Sequence, residues 1–242
     1  MNSEKLLVEV CFSPILLNTI QLSKNSNVVI VDVLRATSSI CTAFNNGAEC
    51  IIPVETLEEA IDYKKRGYIV AAERDGIVKD FADFGNCPSY FTKEIVSGKT
   101  IVYSTTNGTQ LIHQVSDFYR VIIGSFLNID ALTSFLIDDK HDVLIVCAGW
   151  KGRFNIEDTL LAGALSEKLL QSETFSTVCD SAHASIALWH KAKENLPQFI
   201  EKAAQRHRLK KNKLDGIIPY CFSTNITNVI PVFDKGKLIL LK

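Results

Sequence analysis

Val28-Val29-Ile30-Val31-Asp32-Val33-Leu34-Arg35-Ala36-Thr37 is the stretch whose reading decides the fold. An unbroken run of β-branched residues predicts a strand buried on both faces, because a half-exposed strand would alternate apolar with polar. The run then gives way to an acid, a base and a hydroxyl. Thr37 to Asn46 takes up a helical pattern that stops at Gly47, a residue suited to the left-handed conformation that ends helices. An Asp directly after an apolar strand is costly if buried unpaired, so Asp32 is a candidate functional residue, with a structural salt bridge to Arg35 as the competing reading.

The same apolar texture recurs at Ile51 to Val54, Tyr68 to Ala71, Thr100 to Tyr103, Tyr119 to Ile123 and Val143 to Cys147. Helical patterns lie between these runs. Thr56-Leu57-Glu58-Glu59 fits a capping box and leads an amphipathic stretch that ends at Gly67. Later, Ser181 to Arg208 reads as one long helix with Pro197 as the place of a break. Val229 to Val232 and Leu238 to Leu241 flank the hairpin-like turn Asp234-Lys235-Gly236. Strand and helix alternating at this spacing predict an α/β fold layered α/β/α, with a mostly parallel or mixed sheet and a C-terminal long helix and β-hairpin. Residues 1–242 are expected to form a single domain, with room for two lobes.

The 242 residues are 47% hydrophobic, and 26 Lys and Arg stand against 27 Asp and Glu. Such a balance gives no electrostatic footprint for nucleic acid or an anionic membrane, so any anion binding is local. The apolar content permits a homodimer face. Seven cysteines, without a C-x-x-C pair, read as reduced thiols of a cytoplasmic protein. Met1-Asn2-Ser3-Glu4-Lys5 precede an apolar run too short for a signal-peptide core or a membrane span.

The polar residues directly after each strand form the more informative regularity. Val28 to Val31 runs into Asp32 to Thr37, and Tyr68 to Ala72 into Glu73-Arg74-Asp75. Thr100 to Tyr103 runs into Ser104 to Thr109, and Val143 to Cys147 into Ala148 to Arg153. If the strands are parallel, these polar clusters share one edge of the sheet, where open α/β sheets bind ligands. Asp32, Glu73, Glu157 and Asp158 offer hard oxygen ligands; Arg35, Arg74, Lys151 and Arg153 offer charge to an anion. That combination suits a Mg²⁺-phosphate site. The hydroxyl-rich turn Ser104 to Thr109 could cradle a phosphate or sulfonate, although its threonines also read as ordinary N-caps. Glu157 and Asp158 equally suit a helix start through the dipole alone.

Other motifs fail on spacing. Gly98-Lys99-Thr100 lacks the earlier P-loop glycine and leads into a strand, and there is no G-x-G-x-x-G and no G-x-S-x-G. The five histidines lack metal-ligand spacing, and Asp32-Val33-Leu34 is not the D-x-D of phosphatases with paired aspartates. The basic run Arg206 to Lys213 reads as a solvated helix end in preference to a binding patch.

Taken together, Val31 to Thr37, Asn46-Gly47-Ala48, Ala72-Glu73-Arg74, Phe84-Gly85-Asn86-Cys87-Pro88-Ser89, Thr105 to Thr109, Asn128 and Cys147-Ala148-Gly149 through Arg153 to Glu157-Asp158 resemble the 2-phosphosulfolactate phosphatase (ComB) family. The likeness runs from about residue 8 to about residue 190. It implies a ComB-like α/β fold and Mg²⁺-dependent hydrolysis of (2R)-phospho-3-sulfolactate to 3-sulfolactate and phosphate, a step associated with coenzyme M biosynthesis. It further implies catalytic roles for Asp32, Arg35, Glu73, Arg74 and Asn107. Thr37, Asn86, Thr105, Thr106, Gly108, Thr109, Asn128 and Arg153 would bind substrate, and Asp32, Glu157 and Asp158 would hold the metal. Two departures from the family pattern stand out: Ala72 replaces a common glycine, and Cys87 replaces a common serine beside the expected site. A phosphatase of another small anionic phosphoester, or a non-catalytic anion-binding homologue, remains the alternative.

Overall fold

The computed structural model describes residues 5–21 and 23–241. The Met1-Asn2-Ser3-Glu4 lead lies outside these residues. The chain runs β1 (Leu6–Cys11), β2 (Asn27–Val31), α1 (Ala36–Asn45), β3 (Cys50–Pro53), α2 (Leu57–Lys65), β4 (Ile69–Arg74), β5 (Ile77–Val78), α3 (Lys93–Val96), β6 (Thr100–Ser104) and α4 (Gly108–Gln114). It continues with β7 (Arg120–Gly124), α5 (Ile129–Asp139), β8 (Val143–Cys147), α6 (Ile156–Gln171), β9 (Phe175–Ser176), α7 (Asp180–Ala192), α8 (Leu196–Ile200), α9 (Ala204–Lys211), α10 (Ile218–Cys221), β10 (Pro231–Asp234) and β11 (Lys237–Leu240). The strands form one 11-stranded sheet in the order β5-β4-β6-β3-β11-β10-β7-β2-β8-β1-β9.

Every residue of β2 is buried, as its unbroken apolar run requires. Val29 and Val31 face a core completed by Leu160, Leu161 and Leu165 of α6 and Leu132 of α5. Val28 and Ile30 face the opposite core, with Ile40 and Phe44 of α1 and Leu111 and Ile112 of α4. Helices thus cover both faces, giving the layered α/β/α arrangement. Thr56 and Glu59 form the expected capping box at the start of α2.

One expectation needs correcting, and one strand was not foreseen. The segment 181–208 is not one helix but α7, α8 and α9. The break comes before Pro197, where Asn195 accepts a hydrogen bond from the Gln198 amide and opens α8 as an N-cap. The run Leu6 to Cys11, whose sequence was informative only for its length, is a strand paired in parallel with β8 and β9.

The sheet also departs from a single parallel edge. β4, β6 and β3 are mutually parallel, as are β7, β2, β8 and β1, but three antiparallel pairings through β10 and β11 separate the two groups. In a flat sheet the carboxyl ends of β2 and β6 would therefore lie on opposite edges, five strand spacings or about 24 Å apart. Yet a Cβ placed on Gly108, just past β6, would sit 3.3 Å from Oδ2 of Asp32 and 3.0 Å from Cβ of Ala36. Twist must coil the sheet about the inserted hairpin until the two sets of carboxyl ends meet. No described helix is long and apolar enough to cross a membrane, and all seven cysteines are free.

Candidate active site

The loop after β2 is fixed by its own polar groups. Thr37 Oγ1 accepts from the Asp32 amide at 3.1 Å and donates to the Asp32 carbonyl at 3.0 Å, while Oδ1 of Asp32 accepts from the Ala36 amide at 3.3 Å. Two buried carboxylates then tie this loop and its neighbours together. Asp158 accepts from the Val33 amide (2.8 Å), the Gly149 amide (3.1 Å) and Asn155 Nδ2 (2.9 Å), joining the loops after β2 and β8. Glu73 accepts from the Gly76 amide (2.6 Å) and from the amide (2.8 Å) and hydroxyl (3.1 Å) of Thr106, joining the loops after β4 and β6. Asn107 Oδ1 accepts from the Lys151 amide at 3.1 Å and links the two groups of strands.

These loops surround a narrow polar cleft whose lining includes Asp32, Arg35, Glu73, Asn86, Thr105, Asn107, Trp150, Glu157, Gln205 and Arg208. Several buried atoms in it have no partner among the described residues: Nε and Nη1 of Arg35, Oε2 of Glu157 and Oδ1 of Asn86. Orphaned groups of this kind are rare in folded proteins and mark a place where a ligand completes the hydrogen bonding. Both signs of charge are left open here. The open carboxylate asks for a cation and the open guanidinium for an anion.

Electrostatics agree. Burial first, then the charges of Asp158 and Glu73, push Asp32 up to about 8, against the Ala36 amide and the Arg35 guanidinium. Burial raises Glu157 to about 7 although Arg208 opposes the shift, and burial with the charge of Glu157 raises Asp158 to about 7. Three carboxyl groups crowd a region that protein cations do not neutralise. A divalent ion would relieve that strain. Asp32 and Glu157 fit it, since each lines the cleft and neither has its acceptors filled. No group of three or more His, Cys, Asp or Glu side chains is placed to hold a metal together among the described residues. Mg²⁺ commonly takes one or two carboxylates and completes its shell with water and phosphate oxygens.

Of the residues expected at the site, Asp32, Arg35, Glu73, Asn86, Thr105, Asn107 and Glu157 line the cleft. The others are placed elsewhere. Arg74 is held on the carbonyls of Glu73 and Glu55 and on Ser104 Oγ, and it does not reach the cleft. Arg153 is exposed in the turn whose backbone pairs with Trp150. Asn128 is buried, donating to the carbonyls of Ile123 and Val229 and accepting from the Ser125 amide, so it caps a turn and meets no ligand. Thr37 braces the Asp32 loop, Thr109 bonds back to Thr105, and Thr106 is taken up by Glu73. Gly108 permits the close approach of α4 to Asp32. Asp158 already accepts three protein donors, which makes it a brace for the loops in preference to a metal ligand. Cys87 is buried off the cleft, its Sγ accepting from Ser89 Oγ, so the thiol does not meet a ligand there.

The sequence reading missed Arg208, Gln205 and Trp150. Arg208 belongs to the basic run expected to be a solvated helix end. Of the cations in that run only Arg208 lines the cleft, stacked over the Trp150 ring at 4.3 Å. Nothing in the local pattern separates it from its basic neighbours.

Comparison with known proteins extends this picture. Residues 11–236 match the family described as 2-phosphosulpholactate phosphatase. A Thermotoga maritima protein named probable 2-phosphosulfolactate phosphatase is 38% identical over 212 residues, covering 88% of this chain and 91% of its own length. Proteins of the same name from Caldanaerobacter subterraneus subsp. tengcongensis (36% over 217 residues; 88% of this chain, 90% of the relative) and Clostridium botulinum strain Eklund 17B (33% over 222 residues; 90% and 93%) are also similar.

Proposed function

The chain belongs to the 2-phosphosulpholactate phosphatase family, and from that premise we propose that it is a Mg²⁺-dependent phosphatase that hydrolyses (2R)-phospho-3-sulfolactate to 3-sulfolactate and phosphate in the cytoplasm. The observation that carries the reading is the pairing, in one buried cleft, of an unpartnered guanidinium at Arg35 with an unpartnered carboxylate oxygen at Glu157. A phosphate monoester and its metal ion present the complementary charges. The relatives' names supply the identity of the ester, and seven free cysteines suit a reducing compartment.

The proposed substrate brings a phosphate of about two negative charges together with a carboxylate and a sulfonate. Asp32 and Glu157 would hold Mg²⁺, which when bound neutralises phosphate charge and polarises a phosphoryl oxygen. Arg35 has Nε and Nη1 both without a partner among the described residues, donors on different sides of the guanidinium that can each meet an anionic oxygen. Burial of that guanidinium strengthens each contact by excluding water. Asn86 and Asn107 add amides to the wall of the cleft. Glu73 and Asp158 keep the loops in register, so the charged groups are positioned before substrate arrives. Water is the final phosphoryl acceptor: the ester P–O bond breaks, a P–O bond to the water oxygen forms, and the departing alkoxide ends as the alcohol.

The test is phosphate release from a panel of three-carbon phosphoesters, measured with Mg²⁺ and with EDTA. Turnover of (2R)-phospho-3-sulfolactate that EDTA abolishes and Mg²⁺ restores is expected. Faster turnover of another phosphoester would reassign the substrate, and tight binding of sulfolactate with no phosphate release from any ester would make the chain a non-catalytic homologue.

A further inference from the structure

The cleft holds a second cation that the phosphoryl contacts of Arg35 leave unused. Arg208 sits in the last turn of α9, a helix that reaches across the cleft. Gln205 Nε2 on the same helix donates to the Leu34 carbonyl at 2.9 Å, in the loop that carries Arg35. Beyond the helix end, the Asn212 side chain lies against Gly76, 3.0 Å from where a Cβ would stand. This strap is thereby bonded to the loop after β2 and lies against the loop after β4.

Within the basic run the cations are used differently. Arg206 is committed to Glu201 at 3.0 Å and to Asp215 at 2.7 Å. Lys210 and Lys211 are exposed. Arg208 is half-buried in the cleft wall, and among the described residues its one hydrogen-bond partner is Gln205, reached through Nε. Both Nη groups therefore stay free. The Trp150 ring beneath, 4.3 Å from the guanidinium carbon, fixes the plane of the fork and removes most of the rotamer entropy that binding would otherwise cost. Burial disfavours the charge on Arg208 while Glu157 favours it. A cation left partly desolvated and only partly hydrogen-bonded gains from an oxyanion.

We propose that Arg208, stacked on Trp150 and held by Gln205, is a specificity-determining residue that binds a second oxyanion on the alcohol half of the substrate, a carboxylate or a sulfonate, and so selects phosphoesters carrying one. The inference rests on the phosphatase reading for the phosphoryl end but makes a separate claim about the other end of the ligand. Arg35 grips what leaves as phosphate; Arg208 reads what leaves as the acid. Esters with neutral alcohols gain nothing from it.

The test compares wild type with Arg208→Ala, Arg208→Lys and, as an exposed control on the same helix, Lys211→Ala. Steady-state kinetics are run on phosphosulfolactate, on phospholactate, which keeps only the carboxylate, and on p-nitrophenyl phosphate, all with Mg²⁺. Arg208→Ala is expected to raise KM for whichever acidic ester uses the site by about tenfold or more, with kcat much less affected, and to leave kcat/KM for p-nitrophenyl phosphate within about twofold. Arg208→Lys should recover part of the loss, and Lys211→Ala should match wild type. The contrast between the two acidic esters tells sulfonate from carboxylate. Equal losses on all three esters, or none on the acidic pair, would overturn the proposal. Calorimetry with 3-sulfolactate supplies a readout free of turnover. If wild type hydrolyses nothing, the phosphatase reading falls alone, while sulfolactate binding weakened about tenfold in Arg208→Ala still upholds the second-oxyanion site. Undiminished binding in the variant, or none in wild type, overturns it.

Discussion

The two ends of β2 carry charge to opposite purposes. At its amino end, Asn27 Nδ2 donates to Asp139 at 2.8 Å, and the same carboxylate accepts from Arg120 at 2.6 Å and from His141 at 2.9 Å, with the His141 ring stacked on Tyr119. Burial works against Asp139, but these hydrogen bonds and the charges of Arg120 and His141 outweigh it and hold the carboxyl below its ordinary value. At the carboxyl end, Asp32 faces other acids and is pushed the other way, while Arg35 and Glu157 keep open atoms. A network with its charges paired stabilises the fold, even though Oδ1 of Asn27 has no partner among the described residues. One with its charges open costs stability and keeps that charge for something the chain does not supply.

The largest expected effect breaks the open end. Asp32→Asn should lower Mg²⁺-dependent turnover on the order of a hundredfold to a thousandfold while leaving the circular dichroism spectrum unchanged, because the amide keeps the Ala36 contact and loses the charge. Retained turnover would remove Asp32 from the site.

Next comes the pH dependence of stability, read by thermal unfolding in EDTA. Asp32 and Glu157 have folded values of about 8 and about 7, above the unfolded value of roughly 4. Between those limits the folded protein binds more protons than the unfolded chain, so stability falls as pH rises from about 4 to about 8. Asp32→Asn should flatten that slope and raise the melting temperature of the metal-free protein near pH 8. Mg²⁺ should raise the wild-type midpoint and do less for the variant. An unchanged slope in the variant would contradict the assignment.

The closed end should respond in the reverse sense. Asp139 has a depressed value, so its contribution is present above its unfolded value and disappears as pH falls through the folded one. Asp139→Asn is expected to lose about 1 to 2 kcal/mol at neutral pH in chemical denaturation, with kcat unchanged. Smallest of all, Cys87→Ser should leave the ranking of phosphoester substrates as it is, since that side chain packs away from the cleft. A changed ranking would bring residue 87 back into substrate recognition.

Legibility in the sequence divides along the same line. Strands and the polar residues after them were readable because both are local: β-branched runs need burial on both faces, and Asp32 directly after such a run stands out by type, whereas Glu157 at a helix start does not. Asn128, Thr37 and Arg74 show the limit, since a buried amide, hydroxyl or guanidinium reads alike whether it caps a turn or meets a ligand. Asn195 opens α8 ahead of Pro197, a start concealed by the helical pattern on both sides of it. The strap was not readable at all. Arg208 differs from its basic neighbours through contacts distant in the chain: its own stacking on Trp150, and the bond from Gln205 to Leu34, residues 171 positions apart. Nor could the hairpin-like turn near residue 235 reveal that its strands would enter between β3 and β7 and oblige the sheet to coil.

The most direct test of the open-end account is a crystal structure with Mg²⁺ and 3-sulfolactate bound. The account predicts the ion on Asp32 and Glu157, with phosphate or product oxygens on Nε and Nη1 of Arg35 and with Asp158 still bonded to Val33, Gly149 and Asn155. An ion held by Asp158 or Glu73, or an anion bound away from Arg35, would contradict it.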